Sequence, residues 1–202
     1  MLVSNRMTKD PVTVTGEDLL IQAQLKMQKG GFRRLPVVSD GQIVGIITDR
    51  DMRAHAGYLD RTEVKAAMSK KPITVTPVMT VEAAAQLLLK QKISGLPVVE
   101  NSRVVGIITM TDILQAFLDV MGASEETSTR IDFVLEGEGR SLAEASRIIA
   151  EQGGDVLSVG TYRKKWGENP VCYLRLRSGD ANVIAQVLRE KGFEVLGVYP
   201  VD

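Results

Sequence analysis

The sequence predicts an α+β protein: two copies of a βαββα unit, followed by a βαββαβ unit. Three observations carry this. The first is a repeat at a fixed offset of 61 residues across the 202-residue chain. Leu35-Pro36-Val37-Val38 returns as Leu96-Pro97-Val98-Val99, and Gly45-Ile46-Ile47-Thr48-Asp49-Arg50-Asp51 returns as Gly106-Ile107-Ile108-Thr109-Met110-Thr111-Asp112. Met7 with Pro11-Val12-Thr13-Val14-Thr15 returns as Met68 with Pro72-Ile73-Thr74-Val75-Thr76, and no gap is needed. The second is the hydrophobic period, which switches between strand and helix spacing inside each copy. The third is the small, polar, acidic stretch 123–129, after which the repeat stops and a new pattern begins.

Each element has a local reason. Val12-Thr13-Val14 is a short extended run, and Thr15 can cap a helix with Glu17 and Asp18 in its first turn. Leu20, Ala23 and Met27 fall on one face of that helix, and Gly30-Gly31 ends it. Leu35 to Val38 is a strand, Ser39-Asp40-Gly41 a hairpin turn and Ile43 to Ile47 the returning strand. Thr48 caps a short helix. The second copy repeats this, with Thr80 or Thr76 as cap, Val81, Ala84 and Leu88 on the buried face, and a longer last helix from Asp112 to about Met121, closed by Gly122. Beyond 129, Ile131 to Leu135 is a strand, Ser141 caps a helix ended by Gly153-Gly154, and Val156 to Tyr162 is a strand. Val171 to Arg177 alternates as a half-buried strand does, Asp180 caps the last helix, and Phe193 to Tyr199 is the last strand. That order is the ferredoxin-like layout. The domains expected are 1–61, 62–122, a linker at 123–129, and 130–202.

Bulk properties exclude several functions. Lys plus Arg and Asp plus Glu both number 25, so there is no net charge to draw the chain onto nucleic acid or an anionic membrane. Aromatic residues make up 4%, too few for a base-stacking platform. No apolar run approaches the roughly 20 residues that span a bilayer. The N-terminus has no signal-peptide apolar region, and a lone cysteine, Cys172, fits a reducing compartment. A cytoplasmic protein is expected. No His/Cys cluster has metal-ligand spacing, so no metal and no cofactor are expected.

The repeated Gly-hydrophobic-x-Thr-x-x-Asp ending and the repeated Leu-Pro-Val-Val strand make residues 1–121 resemble a tandem pair of CBS domains, a Bateman module. Residues 130–202 resemble an ACT domain, and the CBS–CBS–ACT order is similar to bacterial proteins of the acetoin-utilisation AcuB type. The first resemblance implies an allosteric regulator that binds an adenosine nucleotide (AMP, ADP, ATP, NAD or S-adenosylmethionine) in clefts between the repeats. A carboxylate accepts from both hydroxyls of a ribose, which nominates Asp51 and Asp112. Thr48 and Thr109, with Thr111 beside them, stand at helix starts that suit phosphate oxygens. The adenine of the family lies along the backbone near Val12-Thr13 and Ile73-Thr74. The same Thr-x-x-Asp is also a plain helix cap with an acid in the first turn, and both roles stay open.

The resemblance also implies unequal clefts. Arg33-Arg34 precede the first Leu-Pro-Val, at a position that reaches the phosphates of the other repeat's site, and the guanidinium fork matches two oxygens. The equivalent Ser94-Gly95 carries no charge. The site of Thr109 and Asp112, fed by Arg33 and Arg34, suits an anionic nucleotide. The site of Thr48 and Asp51 faces Ser94 and Gly95 and is expected to take a less charged ligand or to stand empty, with Arg50 a supplementary cation. A solvated surface pair is the other role open to the arginines. The ACT resemblance implies an amino acid at Glu138, Gly139, Arg140 and Asp155. The family's loop carries Asp-x-x-Gly or Pro-Gly where this chain has Glu136-Gly137-Glu138-Gly139, so dimerisation alone is the alternative. No catalytic residues are expected: His55 falls in a linker, and Cys172 sits in an apolar strand. The expected protein is a non-catalytic, homodimeric sensor acting on a protein target. The competing readings are an enzyme using the clefts and a DNA-binding transcriptional regulator.

Overall fold

The computed structural model describes residues 1–125, 127–135, 141–163, 165 and 169–200. The chain divides into two compact units, Met1–Ala116 and Phe117–Asp202.

The first unit holds a six-stranded sheet with helices packed on it. After a 3-10 turn at Val3–Asn5 come β1 (Thr8–Lys9), α1 (Leu20–Gly30), β2 (Arg34–Ser39), β3 (Gln42–Thr48), α2 (Asp49–Arg53) and α3 (Val64–Ala67). The second copy supplies β4 (Ser69–Lys70), α4 (Val81–Gln91), β5 (Gly95–Glu100), β6 (Arg103–Thr109) and α5 (Met110–Val120). The hairpins are superposable in register: Arg34 pairs with Thr48 and Gly95 with Thr109, with a bulge after Val37 and after Val98. Their tight turns place Asp40 (φ 52°), Asn101 (φ 50°) and Ser102 (φ 66°) in the left-handed region, the signature of hairpin turns matched to strand twist.

The short strands are exchanged. β1 of the first copy pairs with β6 of the second, Thr8 opposite Ile107. β4 of the second copy pairs with β3 of the first, Ser69 opposite Ile46. Met7 and Val3 therefore pack in the second copy's core with Leu88, Leu96 and Ile108, while Met68 and Val64 pack in the first copy's core with Leu20, Leu35 and Ile47. Gly45 and Gly106 leave room for the crossing sulfurs: a Cβ at either would lie about 2.5 Å from the Met68 or Met7 Sδ.

Two expectations need correction. The run Val12-Thr13-Val14 makes no strand of its own; Val14 alone bridges Val37, through Val14 N–H to Pro36 O (3.1 Å) and Val38 N–H to Val14 O (2.8 Å). The helix does not start at Thr15 either. Asp18 Oδ2 accepts the Thr15 N–H at 3.0 Å and closes a turn, and Gln22 Oε1 accepts the Leu19 N–H at 2.8 Å, so α1 begins at Leu20. A short acidic side chain held by the backbone ahead of it favours a turn over a helix interior. Thr80 does cap α4, its Oγ1 accepting from Ala83 N–H at 3.2 Å.

The second unit contains β7 (Thr129–Val134), α6 (Leu142–Glu151), β8 (Asp155–Tyr162), β9 (Val171–Ser178), α7 (Ala181–Glu190) and β10 (Val195–Pro200). This is the βαββαβ order, and its antiparallel sheet runs β10-β7-β9-β8. Ser141 and Asp180 cap the two helices as their positions predict. The core between helices and sheet is built on Ile131, Phe133, Ile148, Leu174, Leu176 and Ile184. Phe133 and Phe193 meet edge to face at 5.6 Å. The outward face of β9 is more buried than simple alternation suggests: Arg175 is only 7% exposed, because Ser128 and Gly122 close over it.

Candidate functional site

In both Gly-Ile-Ile-Thr endings the threonine is tied to the aspartate three residues on. The Thr48 N–H and Oγ1–H donate to Asp51 Oδ2 at 2.9 and 2.7 Å, and the Asp51 N–H returns to Thr48 Oγ1 at 3.4 Å. The Thr109 N–H and Oγ1–H both donate to Asp112 Oδ2 at 2.7 Å. The full reciprocal cap is thus realised at Thr48, and its carboxylate half at Thr109. The cap engages one oxygen of each carboxylate, Oδ2, and leaves Oδ1 to accept from something else.

A cleft of about 650 Å³ opens beside the second of these boxes. Thr109, Thr111 and Asp112 line it from the β6–α5 junction, Arg33 and Arg34 from the start of β2, Ser94 from ahead of β5, and Val12 from the chain after β1. Thr13, Thr48, Arg50, Asp51, Ile73, Thr74 and Gly95 are not on its wall. Thr13 uses its carbonyl to accept from Lys26 Nζ at 3.1 Å. Gly95 lies beneath the head of Arg34. The floor is apolar where Phe32, Pro36, Ile107 and Met110 reach it. Burial pushes the Arg34 guanidinium below its ordinary value, with Asp49 opposing and Arg33 adding to the fall. A smaller hollow of about 360 Å³ lies on the other side of Phe32 and Arg33, over Met27, Met52 and Leu59.

Asp10 and Pro11 line the larger cleft and are absent from the sequence-derived site. A signal for them existed. Asp10 (φ 46°) and Lys71 (φ 53°) both hold the left-handed conformation, 61 residues apart and each just before a proline. The residue before proline is disfavoured in the right-handed helical region, so the repeated residue-proline pair marks a repeated turn after β1 and β4, of which the first borders the cleft.

In the second unit, Asp155 faces Arg177 at 3.6 Å in an exposed ion pair of little energetic weight. Glu138, Gly139 and Arg140 lie outside the described residues. The cluster on the outward sheet face was not legible in the sequence. There Asp132, 3% exposed, accepts from Arg130 Nε and Nη2 at 2.6 and 2.7 Å and from the Tyr162 hydroxyl at 2.9 Å. The bond to Asp132 raises the Arg130 pKa, while burial and then that same carboxylate raise that of Tyr162. Cys172 is fully buried in the core, and burial raises its thiol from 9.0 to about 11, which removes it as a nucleophile.

Comparison with known proteins places the first unit in context. The family model of the CBS domain matches residues 3–57 and 64–119. An inosine-5'-monophosphate dehydrogenase from Korarchaeum cryptofilum is 38% identical over 107 residues, which is 52% of this chain and 22% of the dehydrogenase. The chain thus spans well under half the length of the curated relatives it matches. Among solved structures, the CBS domain pair of protein MJ0100, in complex with 5'-methylthioadenosine and S-adenosyl-L-methionine, is 31% identical with a TM-score of 0.55, covering 62% of this chain and 98% of that one. CBSX2 in complex with AMP is 27% identical at a TM-score of 0.55, covering 59% and 98%. An acetoin utilization protein, AcuB, from Vibrio cholerae is 28% identical at 0.56, covering 62% and 98%.

Proposed function

We propose, for a chain that belongs to the CBS-domain family, that it is a non-catalytic sensor of an adenosine nucleotide. The observation that carries the reading is the convergence of Asp112, Thr109 and Arg33 on one cleft of about 650 Å³. In this reading Asp112 Oδ1 accepts from the ribose hydroxyls while Oδ2 stays in its cap. Arg33 faces the phosphate, and the base lies on Pro36 and Ile107 along the backbone at Val12. The complexes of similar CBS pairs with AMP and with S-adenosyl-L-methionine support this ligand class. The cleft of Thr48 and Asp51 would take a less charged ligand.

We further propose the domain limits 1–61, 62–122, 123–129 and 130–202, with the last a ferredoxin-like, ACT-like domain that passes the signal to a protein partner in the cytoplasm. The strand order β10-β7-β9-β8 supports that layout. The proposed role of this domain is structural and dimer-forming, with amino-acid binding as the alternative. AcuB-type kinship rests on the similarity of the first unit to AcuB. The buried, unreactive Cys172 supports a binding protein over an enzyme.

The test is a melting series with AMP, ATP, NAD and S-adenosylmethionine at millimolar level beside a turnover assay. A ligand at a hundred times its Kd adds about 2.7 kcal/mol to stability and raises Tm. Four unmoved melting curves overturn the reading, and turnover of a nucleotide replaces it with the enzyme reading.

A further inference from the structure

We infer that Arg34 is a clasp between the two halves of the sheet and not a ligand for the cleft's anionic end, so that Arg33 alone serves that end and the cleft is matched to a single phosphate group. This rests on the reading of the cleft as a nucleotide site. Arg34 opens β2 opposite Thr48, yet its head belongs to the other repeat. Its Nη1 donates to the Ser94 carbonyl at 2.6 Å, and its Nη2 donates to Ser94 Oγ. Both terminal nitrogens are engaged by one residue at the start of the second hairpin.

The space for this head is made by Gly95. A Cβ there would stand 2.4 Å from Arg34 Nη1 and 2.9 Å from its Cδ. The Gly95 backbone is not left-handed, so glycine is required for room and not for conformation. Gly95 is also the 61-residue counterpart of Arg34. The two copies fill one equivalent position in complementary ways, a long cation in the first and no side chain in the second. A guanidinium holds one phosphate through two parallel bonds. A second phosphate would need the Arg34 fork, which must first leave Ser94. Arg33, exposed and on the wall of both the cleft and the adjoining hollow, carries no such tie to Ser94.

Calorimetric titration of adenosine, AMP, ADP and ATP into the full chain tests this, with Arg33→Ala, Arg34→Ala and Gly95→Ala. Loss of a charged hydrogen bond predicts that Arg33→Ala weakens AMP by about tenfold or more, with adenosine little changed. Arg34→Ala changes AMP by less than about threefold. Gly95→Ala evicts the Arg34 head into the cleft and improves ATP relative to AMP by about tenfold. Equal weakening of AMP by Arg33→Ala and Arg34→Ala overturns the inference, as does an unchanged ATP-to-AMP ratio in Gly95→Ala. Absence of binding by all four compounds to the wild-type chain overturns the nucleotide reading, and with it the phosphate count. A ligand-free double-mutant cycle of Arg34→Ala with Gly95→Ala then judges the clasp by itself, because a Cβ at Gly95 displaces the head from both Ser94 atoms: a non-additive loss of Tm upholds it, and strict additivity removes it.

Discussion

In the proposed reading Asp112 has two roles, a cap and a ribose contact, and the two can be separated. Its Oδ2 closes the cap on Thr109, so Asp112→Ala should cost about 1 kcal/mol of stability even without ligand. Asp112→Asn keeps an oxygen that accepts the Thr109 N–H, and should leave the ligand-free Tm close to wild type while shrinking the nucleotide-induced rise. Equal nucleotide-induced rises in wild type and Asp112→Asn would remove the carboxylate from the ligand site. Cys172 makes a second residue-scale prediction. Its thiol is raised from 9.0 to about 11, so the folded chain holds that proton more tightly than the unfolded chain does. Stability from this group is level below about pH 9 and falls as pH rises towards 11. Denaturant titrations at about pH 8 and about pH 10.5 should show a steeper alkaline loss in wild type than in Cys172→Ala. Thiol reagents at about pH 8 should react only as the chain unfolds.

At the scale of elements, the end of α5 and the sheet of the second unit meet through one glycine. Gly122 has φ 66°, and a Cβ on it would lie 3.1 Å from Leu157 Cβ and 3.2 Å from both Arg175 Cδ and Ser158 Oγ. Ser158 Oγ–H donates to the Met121 carbonyl at 2.6 Å, and Arg175 Nη1 donates to Ser128 Oγ at 3.0 Å, so the segment is seated on the outward sheet face from both ends. Gly122→Ala combines left-handed strain with a collision and should cost about 1–3 kcal/mol. Thermal unfolding followed by near-UV signal reads this. A Tm equal to wild type would mean that the segment is not seated as described.

At the scale of the molecule, α5 carries a stripe that the first copy lacks. Leu114 and Phe117 are each 57% exposed, and Met110 and Leu118 continue the face. Their 61-residue counterparts in the first copy include Arg53 and Ala56 in place of Leu114 and Phe117. Apolar residues at positions 110, 114, 117 and 121 follow the four-three-four spacing of a helix–helix seam. A two-fold dimer that buries this stripe is the expected assembly. Light scattering should find about twice the 22.0 kDa chain mass for wild type and a single chain for Leu114→Asp with Phe117→Asp. A wild-type monomer at tens of micromolar, with and without nucleotide, removes the dimer from the proposed signalling route.

The sequence by itself determined whatever is decided within a few neighbouring residues. The paired hairpins, the caps at Thr48, Thr80, Ser141 and Asp180, the glycine ends of helices and the βαββαβ order all follow from period and capping chemistry, which act over one or two turns. Tertiary structure decided what depends on the closing of long loops. The strands Thr8–Lys9 and Ser69–Lys70 are two residues long, and nothing in so short a run says whether it pairs at home or with the other copy. The exchange is settled by Met7 and Met68 reaching across Gly106 and Gly45. Arg33 and Arg34 look alike in the chain, but only the space over Gly95, 61 residues away, sends one of them to Ser94. Charge and hydrogen-bonding capacity are written in the sequence; which partner satisfies them is set by the fold that brings distant backbone within reach.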